Sequence, residues 1–109
     1  MEWKVKFYQT SRGDYPVQDF IDKQDKNTQS RIALSIGLLA NQGPFLKPPY
    51  IKKLRNNLYE LRISGKIAIR IFYTIQNNEY YLLHAFKKKS QKTPSKELKI
   101  VLDRLKGII

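Results

Sequence analysis

Apolar and polar residues alternate near the N-terminal end of the chain, over residues 2–8. Trp3, Val5 and Phe7 fall on one side of this segment, and the two lysines between them fall on the other. A period of two is the period of a β-strand that is buried on one face only. The pattern therefore predicts a first, half-buried strand at residues 2–8.

Two helices are predicted next. Pro16 suits the first turn of a short helix, because that turn leaves its backbone N–H groups without intrahelical partners. A longer helix is predicted from residue 25 or 26 to residue 42, and a glycine followed by a proline ends it. Its apolar residues have the i, i+4, i+7, i+8 spacing of one helix face. They are Ile32, Ile36, Leu39 and Ala40.

Three runs rich in Ile, Tyr and Phe follow, and each has the composition of a β-strand. They are Leu58–Ile63, Ile67–Ile75 and Glu79–Phe86. Short polar turns separate them, which predicts an antiparallel meander. A last helix is predicted to begin near Thr93, a residue type that caps helices. Its apolar face consists of Leu98, Val101, Leu102 and Leu105.

The predicted order of elements is β-α-α-β-β-β-α, which is typical of an α+β fold. The chain has 109 residues, the length of one small domain. We therefore expect residues 1–109 to form a single domain, in which a small antiparallel meander packs on the two N-terminal helices.

The alternation also predicts which side chains share the second face of the sheet. The odd-numbered residues of Ile67–Ile75 form the apolar set, so Arg70 points away from the core. Leu61 and Ile63 form the apolar set of the preceding strand, which turns Arg62 to the same side. A three-residue connection at 65–67 then pairs Arg62 with Arg70.

Two like charges side by side on neighbouring strands destabilise a sheet. Glu60 is the acidic residue available to them, and one carboxylate leaves a surplus of positive charge. A phosphate-binding site explains this surplus better, because a guanidinium binds two phosphate oxygens at once. Burial of either arginine in an ion pair, or projection of the two from opposite faces of the sheet, would leave the phosphate site without its machinery.

A two-residue turn at residues 77–78 sets the register of the last hairpin. The register contains two pairs of interest, Arg70 with Ala85 and Ala68 with Lys87. Lys87 then shares the open face, and Lys88 and Lys89 follow it within reach. We expect a concave, basic sheet face.

Two aromatic residues, Phe72 and Tyr81, are expected on the same face, where their rings would stack on bases. Packing within the sheet is an equally good explanation for both rings. His84 falls on the predicted core face, where a lone histidine is more often a hydrogen-bonded filler than a catalyst.

The charge of the chain is strongly positive. Lys and Arg number 21 against 9 Asp and Glu, and the formal net charge is +12. Residues 1–44 carry a net +1, whereas residues 45–109 carry +11. A basic half of this kind predicts a polyanionic partner, namely nucleic acid, an anionic membrane surface or an acidic protein. The size of the imbalance favours nucleic acid over a merely solvated lysine-rich surface.

Several classes of site are excluded by composition. The chain has no cysteine, so it has no disulfide, thiolate metal site or cysteine nucleophile. With one histidine, a zinc or iron site is not expected, and we expect no cofactor. No apolar run approaches the roughly 18 residues of a membrane span, and the N-terminal residues lack an apolar signal segment. We expect a cytoplasmic protein without a membrane partner.

Three segments combine into a specific pattern, although any one of them alone would be weak. They are Leu58-Tyr59-Glu60-Leu61-Arg62-Ile63, Arg70-Ile71-Phe72-Tyr73, and the run from Leu83 to Pro94 with its F-x-K-K-x-x-K-T-P spacing. Together they resemble the RelE/ParE superfamily of type II toxin–antitoxin toxins, and the order of elements and the length agree over nearly the whole chain. Within that superfamily the chain looks most like the phage-derived HigB-like toxins.

The resemblance implies a metal-independent, ribosome-dependent mRNA endonuclease that inhibits translation. It also implies a cognate antitoxin, a HigA-like helix-turn-helix protein. In these toxins a dispersed set of basic side chains on the sheet face cleaves the RNA. Carried over, the catalytic residues are Arg62, Arg70, Lys88 and Lys89, and the substrate-binding residues are Glu60, Phe72, Tyr81, Lys87 and Lys92. Some members use a tyrosine near the C-terminal end, which is missing here, so the general base stays open.

Two alternatives remain at this point. A ParE-like gyrase inhibitor has the same fold, acts by binding and lacks a strongly basic catalytic face. A basic nucleic-acid-binding module without chemistry would bind RNA in a salt-sensitive way and cleave nothing. Fold analogy by itself does not decide among these functions.

Overall fold

The computed structural model describes residues 2–89 and 92–108. Three helices and five strands make up an α+β fold, which confirms the predicted class. In chain order they are β1 (Lys4–Phe7), α1 (Pro16–Asp22), α2 (Lys26–Gln42), β2 (Ile51–Arg55), β3 (Leu58–Ile63), β4 (Ala68–Gln76), β5 (Glu79–Lys88) and α3 (Ser95–Lys106), with a 3-10 turn at Gly43–Phe45 after α2. No helix within the described ranges is long and apolar enough to cross a bilayer.

The two N-terminal helices begin where local chemistry predicts. Pro16 occupies the first turn of α1. The side chain of Asp25 accepts a hydrogen bond from the backbone N–H of Thr28 at 2.7 Å and caps α2. This bond satisfies one of the orphan N–H groups of the first helical turn. It also lowers the pKa of the Asp25 carboxyl below its usual value.

The sheet has one more strand than the predicted order. The strands lie in the order β1-β5-β4-β3-β2, with β1 parallel to β5 and the remaining neighbours antiparallel. The predicted antiparallel meander of three strands is confirmed in β3, β4 and β5. Strand β2 was missed, and β1 adds a parallel edge. The sequence of β2, Ile-Lys-Lys-Leu-Arg, lacks a period of two, because this edge strand keeps its lysines in solvent and has a bulge.

Helices cover both faces of the sheet. Helices α1 and α2 pack on one face, over a core that includes Val17, Ile32, Leu39, Leu61, Ile69, Ile71 and Leu82. Helix α3 packs on the other face, over a second core of Leu58, Phe72, Leu83, Phe86 and Val101. The face that we expected to be open is therefore exposed only at the end that α3 does not reach.

The register between β3 and β4 agrees with the prediction. Arg62 lies directly opposite Arg70, and Leu61 lies opposite Ile71. Parity explains this result, because Leu61 and Ile71 both belong to the core under α1 and α2.

The register between β4 and β5 departs from the prediction at a β-bulge. Pairing follows the expected two-residue turn as far as Tyr73 with Leu82, and it then shifts by one residue because Leu83 has no partner on β4. The actual pairs are Arg70 with Phe86 and Ala68 with Lys88, so the predicted pairs Arg70–Ala85 and Ala68–Lys87 are wrong.

The bulge changes which residues face α3. Leu83 packs in the core beneath α3, and the next residue, His84, hydrogen-bonds to Glu97 of α3. Two successive residues thus point to one face, which strict alternation does not allow. His84 therefore does not lie on the face that we predicted. Beyond the bulge, Lys87 lies opposite Ile69 on the face of α1 and α2, and Lys88 takes the predicted place of Lys87.

Two glycines of the α2 region allow a matched test of the packing at the end of the helix. Gly43 has φ +50°, and a Cβ built there would lie 2.4 Å from Cδ2 of Trp3. We expect Gly43→Ala to lower the free energy of unfolding by about 2–4 kcal/mol, from backbone strain and displacement of the indole. Gly37 is helical and exposed, with nothing within 4 Å of its Cβ position.

Gly37→Ala should raise the free energy of unfolding by about 0.5–1 kcal/mol, the usual difference between the two residues inside a helix. Urea denaturation of both variants measures these shifts. Equal stability of the Gly43→Ala variant and the parent would contradict the packing of Trp3 on the end of α2.

Candidate functional site

Two arginines of the central strands converge on one buried carboxylate. Nε of Arg62 lies 3.1 Å from Oε1 of Glu60, and Nε of Arg70 lies 3.6 Å from the same oxygen. Cross-strand pairing of Arg62 with Arg70 produces this arrangement, and Glu60 precedes Arg62 by two residues on the same face of β3. The predicted juxtaposition of the two guanidinium groups is confirmed, and Glu60 is the acid between them.

The two arginines differ in how much of each side chain solvent can reach. The side chain of Glu60 is 2% exposed, that of Arg70 is 13% exposed and that of Arg62 is 31% exposed. Arg70 is thus largely buried in an ion pair, the condition that argues against free binding of a phosphate. It also donates from Nη1 to the backbone oxygen of Ile69 at 3.0 Å. Arg62 is the more accessible guanidinium.

Burial and neighbouring charges affect the pKa of Arg70, but they leave it charged. Burial lowers the pKa of the Arg70 guanidinium from its ordinary value; the charge of Glu60 opposes this shift, and the charge of Arg62 adds to it. Because an arginine stays protonated even after such a shift, the pair keeps both positive charges. One carboxylate compensates one of them, and a net positive charge remains at the sheet surface.

Two lysines extend this positive surface. Lys88 lies at the end of β5 opposite Ala68, and Lys52 of β2 lies opposite Glu60. Burial is the largest cause that lowers the pKa of the Lys88 ammonium, and Arg70 is the next; Glu60 opposes them, and Arg62 and Lys52 contribute further lowering. Lys88 therefore lies close enough to the two arginines, Glu60 and Lys52 for their charges to affect its ammonium group.

Lys52 was missed by the sequence analysis because β2 was missed. Lys52 and Lys53 precede the Leu-Tyr-Glu-Leu-Arg segment by only a few residues. This short spacing is the signal that could have indicated a hairpin. We refer to Lys52, Glu60, Arg62, Arg70 and Lys88 as the arginine site.

The segment before α3 also contacts this site. The hydroxyl of Thr93 donates to Oε2 of Glu60, at the long distance of 3.5 Å. Lys92, the preceding residue, is exposed.

Among the described residues, no three His, Cys, Asp or Glu side chains group in a way that could hold a metal ion.

The predicted lysine cluster is divided between two places. Lys88 belongs to the arginine site, whereas Lys87 and Lys89 line a separate cavity of 420 Å³ beside Phe20, Pro94 and Glu97. The prediction that Lys87 shares a face with Arg70 is therefore wrong, because the bulge turned β5 by one residue. Lys89 follows the strand and lies with Lys87.

The two predicted stacking rings lie on the expected face of the sheet, but neither ring is open to a base beside the arginines. Phe72 is fully buried beneath α3 and stacks on Phe86, with ring centroids 5.6 Å apart, so no base can reach it. Tyr81 donates from its hydroxyl to Glu79 and lies beneath the ammonium of Lys6. It is seven residues from Lys88 on β5, or roughly 20 Å along a strand. Both rings therefore lie on the predicted face, and Phe72 lies directly opposite Glu60. Packing explains the buried ring of Phe72, and Tyr81 lies too far along β5 to stand beside the arginines.

His84 forms a hydrogen-bonded chain with two residues of α3. Its Nε2 lies 2.6 Å from Oε1 of Glu97, and its Nδ1 lies 3.2 Å from Nη1 of Arg104. An arginine only donates, so Nδ1 must accept and the ring hydrogen must sit on Nε2. Burial lowers the pKa of His84, Glu97 opposes that shift by its hydrogen bond, and Arg104 adds to it. His84 is therefore neutral near pH 7.

A comparison with family models identifies the family. The model for "Phage derived protein Gp49-like (DUF891)" matches residues 19–106, which span α1 through α3. The chain belongs to the Gp49-like family. This family is toxin-like and related to RelE/ParE toxins, which confirms the resemblance at the superfamily level. No curated protein matches the sequence significantly.

Membership of the Gp49-like family also bears on partners and fold. A toxin-like family implies an antitoxin partner. The five-stranded mixed sheet with three helices is compatible with a RelE-like fold.

The state of His84 predicts a pH dependence of stability. Its folded pKa lies below the ordinary value of 6.5, so the unfolded chain binds more protons between the two values. The free energy of unfolding should be highest above pH 6.5 and should decrease as the pH falls through that window. Protonation would also remove the acceptor that Arg104 uses.

We expect His84→Gln to remove this component, since glutamine does not titrate and its amide can donate to Glu97. Urea denaturation of parent and variant at several pH values between 5 and 7.5 measures the difference. Parallel stability curves over that interval would show that His84 titrates alike in the folded and unfolded states.

Proposed function

We propose that this Gp49-like protein is the toxin of a type II toxin–antitoxin system, of the HigB-like branch, and that it cleaves mRNA on the ribosome. The observation that carries the proposal is the accessible guanidinium of Arg62, whose side chain is 31% exposed, with the ammonium of Lys88 near it; Arg70 lies behind them in its ion pair with Glu60. Here the positive charge exceeds what Glu60 compensates, as expected of a surface that binds a phosphodiester.

The chemistry requires no metal. The 2′-oxygen of one nucleotide attacks the adjacent phosphorus, a new O2′–P bond forms and the P–O5′ bond breaks. The products are a 2′,3′-cyclic phosphate and a 5′-hydroxyl. Negative charge accumulates on the phosphoryl oxygens during the attack, and preorganised cations facing those oxygens lower the barrier. Arg62 is the more exposed of the two guanidinium groups and would donate to the phosphoryl oxygens. Arg70, which is more buried, adds positive charge behind it.

Lys88 is the proton donor of this proposal. Burial and the neighbouring arginines lower the pKa of its ammonium, which makes proton transfer to the leaving 5′-oxygen easier than it is for an ordinary lysine. The proton released from the 2′-hydroxyl goes to water. Glu60 is 1% exposed and engages both arginines and Thr93, so its role is to position the guanidinium groups rather than to act as the base.

The ribosome and the antitoxin complete the system. Alignment of the 2′-oxygen with the phosphate comes from the ribosome-bound message, so activity on free RNA should be weak. A HigA-like helix-turn-helix antitoxin is the proposed partner, in the cytoplasm, where translation occurs.

Arg62→Ala and Lys88→Ala test the arginine site. Each should reduce the rate of message cleavage by about 10²–10³-fold, the usual loss when one donor facing a developing charge is removed. The measurement is the mapping of RNA 5′ ends after induced expression, together with growth arrest. Arg70→Ala should also abolish arrest, but it leaves Glu60 buried with one partner fewer, so thermal unfolding must be compared for that variant.

Lys53→Ala is the matched control. Lys53 is exposed next to Lys52 but lies opposite Tyr59, on the other face of the sheet. This variant removes the same charge from the same strand and should leave cleavage unchanged. Growth arrest accompanied by gyrase-linked DNA breaks and intact messages would overturn the proposal in favour of gyrase inhibition. RNA binding without cleavage would favour a binding module.

A further inference from the structure

A cavity opens beside β5, where that strand loses its outer neighbour. Strand β1 pairs only with residues Glu79–Leu82, so the second half of β5 has no strand on that side. Arg104 of α3 instead donates to the backbone oxygen of Leu83 at 2.8 Å. Beyond that contact, α1, β5 and the N-terminal end of α3 border a cavity of 420 Å³ that is open to solvent. Its lining includes Phe20, Phe86, Lys87, Lys89, Pro94 and Glu97.

Glu97 is held in one orientation within this lining. Oε1 of Glu97 accepts from Nε2 of His84 at 2.6 Å, and Arg104 holds the other ring nitrogen of His84 as an acceptor. The side chain of Glu97 is 20% exposed. His84 uses Oε1, so Oε2 is the acceptor that Glu97 offers to a ligand in the cavity. A carboxylate can only accept, so a matching ligand must donate a hydrogen.

The other lining residues indicate the rest of the ligand. Lys87 and Lys89 are exposed cations, which suit phosphate oxygens. Phe20 and Pro94 provide apolar surface, which suits the faces of a ring. An anionic group, a flat apolar body and a hydrogen donor together describe a nucleotide whose base carries an amino group.

The cavity is also next to the arginine site. Lys88 lies between Lys87 and Lys89 in sequence, and successive strand residues point to opposite faces. Lys88 faces the arginine site, whereas its two neighbours line the cavity. The two places therefore lie on opposite sides of the end of β5, and an RNA strand reaches both by passing around the edge of β5 that β1 leaves free.

We propose that this cavity binds the base of the nucleotide adjoining the cleaved phosphate and selects bases with an exocyclic amino group over uracil. The inference rests on the proposed function, because it names a subsite of the same RNA. The amino groups of adenine, cytosine and guanine can donate to Oε2 of Glu97. Uracil has no amino group, and its single N–H lies between two carbonyl oxygens that repel the carboxylate.

Glu97→Gln is the decisive variant. Glutamine keeps the size of the side chain and its carbonyl oxygen accepts from His84, while its NH₂ group replaces the acceptor in the cavity. The parent should bind short single-stranded oligo(A) and oligo(C) about tenfold more tightly than oligo(U), as expected for one hydrogen bond to a charged group. In the variant this ratio should fall to one or reverse. Fluorescence anisotropy with labelled pentanucleotides measures it.

Asp103→Asn is the matched control. It makes the same change of charge on α3, at an exposed residue outside the cavity lining, and it should leave the base preference of the parent. The proposal is overturned if the parent shows no preference, or if Glu97→Gln keeps the parent ratio. It is equally overturned if Asp103→Asn changes the ratio as much as Glu97→Gln does.

A second variant keeps the test valid should Glu97→Gln lose its fold in a thermal melt. Lys87→Ala combined with Lys89→Ala changes two exposed side chains. It should weaken binding of all three oligonucleotides about tenfold and keep the preference for amino-bearing bases, because the lysines contact phosphate and Glu97 contacts the base. Unchanged affinity in this double variant would overturn the cavity as a nucleotide site.

Cut-site mapping separates this inference from the function on which it rests. If messages are cut in an Arg62-dependent way while Glu97→Gln changes neither base preference nor cut position, the cavity proposal fails and the nuclease proposal stands. If the oligonucleotides show the predicted preference while no message is cut, the nuclease proposal fails and the cavity stays an RNA-binding site.

Discussion

The ion pairs of Glu60 are the constraint on which the surface chemistry of this protein depends. A carboxylate that is 1% exposed is stable only with charged partners, and Arg62 and Arg70 supply them from two adjacent strands. The same contacts hold two like charges side by side, an arrangement that would otherwise destabilise the pair of strands. The attraction between Glu60 and the two arginines therefore offsets both the cost of burying the carboxylate and the repulsion between the guanidinium groups. A net positive charge remains at the surface.

Helix α3 and the β-bulge decide where that charge is accessible. The helix covers Phe72 and Phe86 and leaves the ends of β3, β4 and β5 exposed, where the arginine site lies. The extra residue at Leu83 then turns the last lysines of β5, so that Lys88 alone of the run Lys87–Lys89 joins the arginines. The hydrogen bond between His84 and Glu97 joins β5 to the first turn of α3. Because Glu97 also lines the neighbouring cavity, this bond helps to define the cavity wall.

Much of the candidate site could be predicted from the sequence, and the errors on β5 have one origin. The juxtaposition of Arg62 and Arg70 followed from parity alone, because their neighbours Leu61 and Ile71 must share a core. The predicted positions of Lys87 and His84 were wrong, because the alternation of side chains breaks down wherever a strand contains an unpaired residue. No local pattern in Leu82-Leu83-His84 marks the bulge, which is stabilised by contacts with α3.

The sequence by itself determined the α+β class, both long helices and the family pattern, because periodicity, caps and turns act over a few residues. Apolar runs predicted the three internal strands β3, β4 and β5, and alternation predicted the edge strand β1. Only the tertiary structure decided that β2 pairs at the edge, that α3 covers the second face and that Glu60 is buried between two arginines. These features depend on contacts between residues far apart in the chain, which composition and spacing do not encode locally.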